Sequence, residues 1–229
     1  MIVDPGIGVL DRLQQVLTEG RLRPAAVLLT HGHVDHVYSV TPVCGAHGVP
    51  ALVHGADRYR LVDPFATLDP ALVAMLEQQF GRSATWDEPD DVRPLVHGET
   101  LDVAGLAVRV VHAPGHTEGS VMFALDGSPE TVRDSGPGSA SGFSATVLSG
   151  DVLFQGSIGR TDLPGGSSEA MLASLRDRVL TLTDDTLVLP GHGPATTIAQ
   201  ERATNPYLAE AAQTKAVPTK AVPTKAEQS

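Results

Sequence analysis

Short apolar runs alternate with amphipathic stretches along the chain, as is typical of an α/β protein. In the first hundred residues this pattern predicts three strands, at 2–3, 25–29 and 51–54, and three helices, at 8–19, 37–47 and 69–80. Farther on it predicts strands at 101–103, 106–111, 120–125, 146–149 and 186–189, and helices at 168–182 and 194–210. Residues 83–98 are polar and contain proline, so they are predicted to form a loop.

Two segments have no apolar periodicity at all. Residues 127–145 are rich in Gly, Ser and Pro, which predicts a flexible surface loop. Residues 213–229 are dominated by a repeated Thr-Lys-Ala-Val-Pro unit that has no apolar face to bury, which predicts a disordered tail. The remaining residues, 1–212, are predicted to form one domain.

Composition excludes several classes of protein. The net charge of −11 argues against a nucleic-acid surface. No apolar run approaches the roughly 18 residues of a membrane span, and the first residues do not have the pattern typical of a signal peptide, so an exported protein is not expected. The single cysteine rules out an intramolecular disulfide and fits a reducing compartment. We therefore expect a cytoplasmic protein that acts on a small molecule and binds neither nucleic acid nor membrane; the sequence does not indicate an oligomeric state.

Histidine is the unusual component, because three of the nine lie between positions 31 and 36. A hydrophobic strand runs directly into His31, His33, Asp35 and His36. Two residues apart on an extended segment, His31 and His33 point to the same side. Asp35 and His36 follow where a helix should begin, and a helix N-terminus favours a carboxylate. Imidazole and carboxylate are the ligands of open, catalytic zinc sites, so this segment predicts a metal site.

Three further donors follow predicted strands and a tight glycine turn: His116, Asp151 and His192. Each alone would be an ordinary turn residue. Together they repeat one pattern, in which a buried strand is followed by a glycine and then by a donor. Since α/β proteins build their sites at strand ends on one sheet edge, we expect all of these donors to meet.

These motifs, in this order and spacing, resemble the metallo-β-lactamase superfamily. They are His-X-His-X-Asp-His, then Pro-Gly-His-Thr at 114–117, Ser-Gly-Asp at 149–151 and Pro-Gly-His-Gly at 190–193. The branch they are similar to is glyoxalase II (hydroxyacylglutathione hydrolase) with its single-domain bacterial relatives, whose Gly-Arg-Thr-Asp and Val-Asp-Pro-Gly segments match 159–162 and 3–6. The resemblance implies an αββα four-layer sandwich, here lacking the family's first strand or strands. It also implies a cleft holding two metals, usually zinc, with iron or manganese as alternatives.

Carried over by motif, the resemblance implies a role for each donor. His31, His33 and His116 would hold the first metal, Asp35, His36 and His192 the second, and Asp151 would bridge both. Asp35 and Asp151 are also the predicted catalytic residues; Asp151 is expected to orient a hydroxide that lies between the metals and attacks the substrate carbonyl. Asp4 either fixes a ligand histidine or belongs to a plain turn. Arg160 and Asp162 are expected to form an ion pair beside the cleft.

The predicted activity is hydrolysis of a thioester of the 2-hydroxyacyl type. The alternative is a persulfide dioxygenase of the same superfamily, which uses one iron held by two histidines and an aspartate. Hydrolysis of β-lactams is disfavoured, because position 151 is an aspartate where those lactamases place Cys or Ser. Two-domain glyoxalase II binds glutathione with a helical C-terminal extension, where this sequence has the repeat at 213–229, so the resemblance does not imply glutathione as the thiol carrier, whose identity stays open.

Overall fold

Two β-sheets lie face to face, and helices cover their outer sides. The computed structural model describes residues 1–66, 68, 70–80, 87–127 and 142–214. The first sheet is parallel and has the order β1 (Ile2–Val3), β2 (Val27–Leu28), β3 (Ala51–His54) and β4 (Val92–Leu95). The second is mixed and consists of β5 (Thr100–Val103), β6 (Leu106–His112), β7 (Val121–Asp126), β8 (Ala145–Gly150), β9 (Thr186–Pro190) and β10 (Thr196–Thr197). Its order is β10-β9-β8-β7-β6-β5, and within it only β8 and β9 pair in parallel.

The helices fall into two groups, one in each half of the chain. Those of the first half are α1 (Leu10–Glu19), α2 (Val34–Val37), α3 (Val40–His47), a 3₁₀ helix (Gly55–Leu61) and α4 (Pro70–Phe80). Those of the second half are α5 (Ser168–Ser174), which continues into a π-helical turn (Leu175–Val179), α6 (Ile198–Thr204) and α7 (Pro206–Gln213). No helix within the described ranges is long and apolar enough to span a membrane.

Alternating strand residues produce three apolar layers, since successive side chains of a strand point to opposite faces. Val27 and Leu29 pack on the helices of the first half, together with Val37, Val40 and Leu61. Between them in sequence, Leu28 faces the other sheet and packs with side chains such as Val110 and Phe123. The outer face of the second sheet is covered by α5, the π-helical turn and α7 through Met171, Leu175 and Leu208. The predicted αββα sandwich is confirmed.

The loop predicted for 83–98 is wrong at 92–95, which form β4. This strand is the edge of its sheet, where Pro94 lies opposite Val53 and the missing N–H of proline costs no sheet hydrogen bond on the open side. Arg93 and Pro94 are exposed, which explains the polar pattern.

The single helix predicted for 194–210 is also wrong. The segment begins with β10, and Asn205 interrupts the helix with an extended backbone before Pro206. The residue before a proline is disfavoured in the helical region, and the Asn205 side chain then caps α7 by accepting from the Tyr207 N–H. The predicted loop at 127–145 and tail at 213–229 lie mostly outside the described residues; α7 extends to Gln213.

Candidate metal centre

The seven predicted donors meet at one end of the two sheets. The chain leaves β2 into His31 and His33, and His33 is the N-cap of α2, which carries Asp35 and His36. The other three donors lie in the turn between β6 and β7 and directly after β8 and β9: His116, Asp151 and His192. Close approach of these segments requires glycine, because a Cβ at Gly191 would lie 2.4 Å from Asp151 Oδ1.

Two groups of donors lie side by side. The first cluster comprises His31, His33 and His116, whose ligand atoms all lie within 4.8 Å of one another. His33 Nδ1 is 2.8 Å from His116 Nε2. The second cluster, Asp35, His36 and His192, meets the same criterion. Its His192 Nε2 lies 3.2 Å from His36 Nε2 and 3.1 Å from Asp35 Oδ2.

Asp151 lies between the two clusters. Its Oδ1 is 3.3 Å from His36 Nε2, and its Oδ2 is 3.5 Å from His116 Nε2 and 3.7 Å from His192 Nε2. The carboxylate is buried. These distances place the Asp151 carboxylate within reach of histidines from both clusters.

Asp4 orients one histidine of each cluster. Its Oδ2 accepts from His36 Nδ1 at 2.9 Å and from the Thr30 hydroxyl at 2.6 Å, while its Oδ1 accepts from the Thr30 N–H at 2.8 Å. Because the Thr30 hydroxyl donates to Asp4, its oxygen is left to accept from His31 Nδ1 at 3.1 Å. Both imidazoles thus carry a proton on Nδ1 and direct Nε2 into the centre.

His116 is fixed by backbone rather than by a carboxylate. Its Nδ1 donates to the Arg160 carbonyl at 2.7 Å, which leaves Nε2 free to bind a metal. The Arg160 side chain is exposed and pairs with Asp162, with Nε 2.7 Å from Oδ1. The segment 160–162 therefore contributes a carbonyl to the centre and an ion pair to its rim.

Burial and neighbouring charges move the histidine pKa values in opposite directions. Burial, and then the neighbouring His116, lower the pKa of His33 to about 3. Burial also opposes protonation of His36, but the carboxylates of Asp151 and Asp4 outweigh it and raise the pKa of His36 to about 10. Burial lowers the pKa of His31 and of His116. The first cluster is thus neutral and ready to bind a cation.

The donors fit a pair of divalent cations. His31 Nε2 is buried and has no hydrogen bond among the described residues, and Asp151 Oδ1 is buried with only the 3.3 Å ion-pair contact to His36 Nε2. Unpartnered buried polar atoms are costly, so such atoms in a native site call for a partner that the protein itself does not provide. Imidazole and carboxylate donors suit zinc, iron or manganese. Both clusters could hold a metal, with Asp151 shared between them.

A cleft of about 600 Å³ opens over the donors. Its floor contains His33, Asp35, His116, Asp151 and His192. Its walls are mainly apolar and are formed by Ile7, Val34, Leu68, Phe154, Leu163 and Pro164, with Arg160 as the one basic side chain among the described lining residues. The cleft suits a small molecule with an apolar portion and a polar group placed over the donors.

Sequence reasoning missed the residues that hold the donor segments in place. Asp57 and Arg60 on the 3₁₀ helix are fully buried; Thr117 donates to the buried carboxylate of Asp57, and Thr30 donates to the partly buried carboxylate of Asp4. Nothing in the sequence distinguishes Asp57 or Arg60 from surface charges, because each becomes buried only through contacts with segments far away along the chain. A threonine stands next to a candidate ligand histidine at position 30 and again at position 117, and this repetition is the sequence feature that could have pointed to the supporting hydrogen bonds.

The chain belongs to the metallo-β-lactamase superfamily, whose family model matches residues 1–129. This confirms the resemblance seen in the motifs and defines the protein as a metal-binding enzyme of the hydrolase type. An uncharacterized protein of Mycobacterium tuberculosis is 44% identical over 209 residues, covering 91% of this chain and 86% of its own. The probable metallo-hydrolase YqgX of Bacillus subtilis is 36% identical with the same coverage, and the hydroxyacylglutathione hydrolase GloC of Haemophilus influenzae is 33% identical over 90% of this chain and 86% of its own.

Solved structures with a similar fold agree with this family assignment. The B3 metallo-β-lactamase BLEG-1 superposes with a TM-score of 0.68 at 36% identity, covering 90% of this chain and 87% of its own. The protein TTHA1623 in a di-iron-bound form superposes with a TM-score of 0.67 at 35% identity, covering 90% of this chain and 88% of its own. ETHE1 from Myxococcus xanthus superposes with a TM-score of 0.63 at 25% identity, covering 91% of this chain and 73% of its own.

Proposed function

We propose that this protein hydrolyses a small-molecule thioester, of the 2-hydroxyacyl thiol type, with two metal ions in the cytoplasm. The observation that carries the proposal is the complete second cluster beside the first, with the Asp151 carboxylate in contact with both. The 33% identity to a hydroxyacylglutathione hydrolase supports the substrate class. The protein TTHA1623, which is 35% identical to this chain, has been solved in a di-iron-bound form, and this supports a count of two metals.

In this proposal each donor has a defined task. The first cluster would hold one ion, the second cluster would hold the other, and Asp151 would contribute its carboxylate to both. When bound, the ions supply Lewis acidity toward the substrate carbonyl and a water that is acidic enough to act as nucleophile near neutral pH. We propose zinc as the metal, with iron or manganese as alternatives.

The chain's own residues position the reactants and manage protons. The apolar walls, with Phe154 and Leu163 among them, exclude water from the carbon skeleton of the substrate. Asp35 is half-exposed toward the cleft, so it can hold the proton taken from the nucleophile and return it to the leaving sulfur. The net reaction adds water across the C–S bond and yields a carboxylic acid and a thiol.

A persulfide dioxygenase with one iron remains the alternative. It needs only two histidines of the first cluster together with Asp151. It gives no task to Asp35 and His192, although these two side chains lie 3.1 Å apart at the edge of the same cleft. This contact favours the reaction that uses both clusters.

The test is metal analysis combined with a substrate panel on the full chain. The purified protein should contain two metal equivalents and hydrolyse S-lactoylglutathione or another 2-hydroxyacyl thiol. Chelation should abolish turnover, and added Zn²⁺ should restore it.

Three results would contradict the proposal. Turnover of nitrocefin with no activity toward any thioester would make the enzyme a β-lactamase. One iron per chain with persulfide-dependent O₂ uptake would establish the alternative. Thioester hydrolysis that persists unchanged in His116→Ala would remove the metal centre from the reaction.

A further inference from the structure

One buried carboxylate outside the donor set joins the two segments of the first cluster. Asp57 lies on the 3₁₀ helix and is completely buried. Its Oδ2 accepts from the Gly32 N–H at 2.8 Å and from the Thr117 hydroxyl at 2.7 Å, and its Oδ1 accepts from the Gly119 N–H at 2.8 Å. Gly32 lies between His31 and His33, and Thr117 follows His116.

This link matters because the first cluster is assembled from distant parts of the chain. His33 and His116 are 83 residues apart, yet His33 Nδ1 and His116 Nε2 lie 2.8 Å from each other. The two ring nitrogens lie within hydrogen-bond distance, but one side-chain contact does not hold two distant segments together, so their separation also depends on the groups that bind both segments. Asp57 binds both segments through a single rigid group.

Arg60, one turn farther along the 3₁₀ helix, reinforces this arrangement. Its side chain packs so closely on Gly32 that a Cβ there would lie 2.6 Å from the Arg60 Cβ. Its Nη2 donates to the Pro164 carbonyl at 2.7 Å and to Glu118 Oε2 at 3.0 Å, while its Nε lies 3.5 Å from Asp57 Oδ1. The arginine thereby neutralises the buried Asp57 and ties it to the cleft wall.

We infer that Asp57 is the positioning residue of the first cluster: it fixes the distance between the His31–His33 segment and the His116 turn, and so sets how tightly that cluster binds its metal. An ionised carboxylate only accepts hydrogen bonds, so it suits three converging donors. An asparagine in its place keeps the size but turns an N–H₂ toward at least one of these donors. The inference rests on the metal-binding part of the proposed function and is independent of the substrate.

The test measures Zn²⁺ affinity by competition with a chromophoric chelator in two backgrounds. The His192→Ala protein retains the first cluster, and the His116→Ala protein retains the second. Asp57→Asn should weaken Zn²⁺ binding by about 10- to 100-fold in the His192→Ala background, the range found when a group that orients metal ligands is lost. In the His116→Ala background the change should stay below about threefold, because none of the hydrogen bonds that Asp57 accepts comes from a residue of the second cluster, and His36 has its own hydrogen bond to Asp4.

Glu201 offers a matched control. It is also completely buried, and it accepts from the Thr196 hydroxyl at 2.6 Å, the Gly156 N–H at 2.8 Å and Asn205 Nδ2 at 2.9 Å. Glu201→Gln should therefore lower the melting temperature without changing the Zn²⁺ affinity of the first cluster. Should Asp57→Asn fail to fold, Thr117→Val removes one of the three donors and should weaken binding by about threefold or more.

Two outcomes overturn the inference. One is an unchanged Zn²⁺ affinity in the His192→Ala background when Asp57, or Thr117 in its place, is altered. The other is an equal loss in Asp57→Asn and Glu201→Gln, which would reduce Asp57 to a general contribution to stability. Tight zinc binding without thioester turnover would refute the proposed function and leave the role of Asp57 intact, whereas failure of the wild-type protein to bind Zn²⁺, Fe²⁺ or Mn²⁺ would refute both.

Discussion

The two donor clusters share Asp151 and the same cleft but differ in how firmly they are built. In the first cluster His31 and His116 are 1% and 3% exposed, and each has its Nδ1 held by a fixed acceptor. In the second, His36 is equally buried, while the side chains of His192 and Asp35 are 55% and 45% exposed. The first cluster is therefore formed before any metal arrives, whereas the second has two side chains that are free to adjust.

The electrostatic environments differ as well. The pKa of His33 falls to about 3, through burial and then the neighbouring His116, whereas the carboxylates of Asp151 and Asp4 overcome the effect of burial and raise the pKa of His36 to about 10. Near neutral pH a metal can enter the first cluster without displacing a proton, but at the second cluster it must displace the proton of His36. We expect the first site to bind metal more tightly and the second to lose it first.

The largest expected effect comes from removing the second cluster alone. His192→Ala should reduce the metal content from two toward one per chain. Thioester turnover should fall on the order of a hundredfold or more, because charge that develops on the substrate loses one of its stabilising groups. Metal analysis and turnover measured on the same sample provide the check.

His116→Ala is the companion variant, since it should abolish activity by disrupting the first cluster. If the His192→Ala protein keeps both its metals and its thioester activity, the second cluster is not a metal site and the contrast between the clusters disappears. If it retains one iron and persulfide-dependent O₂ uptake, the dioxygenase alternative replaces the hydrolase.

A smaller effect is expected from Asp4→Asn. Asp4 has a φ of 47°, a conformation that asparagine also tolerates, so the turn itself should survive. The amide can no longer accept all three hydrogen bonds from Thr30 and His36, and we expect the second cluster to bind metal about 10- to 100-fold more weakly. Competition with a chelator in the His116→Ala background measures this directly.

The control for Asp4→Asn is Asp102→Asn. Asp102 also accepts from a turn N–H, that of Gly105 at 2.8 Å, but far from the centre. If the His116→Ala protein, its Asp4→Asn variant and its Asp102→Asn variant all bind the metal equally well, Asp4 is a plain turn residue, which is the second role that the sequence left open.

The seven candidate donors could be selected from the sequence because the pattern that marks them is local, and the structure brings their side chains together. His31 to His36 occupy six positions, and each remaining donor follows a strand and a glycine that an apolar run makes recognisable. The same reasoning failed at β4, where an edge strand tolerates proline and exposed polar residues and so has the pattern of a loop. It also missed the break at Asn205, although the proline that follows is the signal for it.

The supporting residues could not be predicted in this way. Asp57 and Arg60 lie in a short charged stretch, and their burial depends on contacts with Gly32, Thr117 and Pro164, which no local pattern encodes. For Asp4 the sequence left two roles open, because the hydrogen bond to His36 spans 32 positions. Residues that bind a metal share a chemistry that is visible in the sequence, while residues that orient them only need to be polar and close.

The smallest expected effect tests the electrostatic contrast itself. Because the folded-state pKa of His36, about 10, lies above the ordinary value of 6.5, this imidazole is protonated near pH 8 in the metal-free protein. Binding at the second cluster should then release about one proton, and the apparent affinity should rise roughly tenfold per pH unit up to pH 9. The first cluster should release almost none above pH 7, because His31, His33 and His116 all have lowered pKa values.

Calorimetric titration with Zn²⁺ in buffers of different ionisation enthalpy gives the number of protons released. The His116→Ala protein reports on the second cluster, and the His192→Ala protein reports on the first. Equal proton release in the two variants would show that Asp4 and Asp151 do not hold His36 in its charged form, and the contrast would then rest on exposure alone.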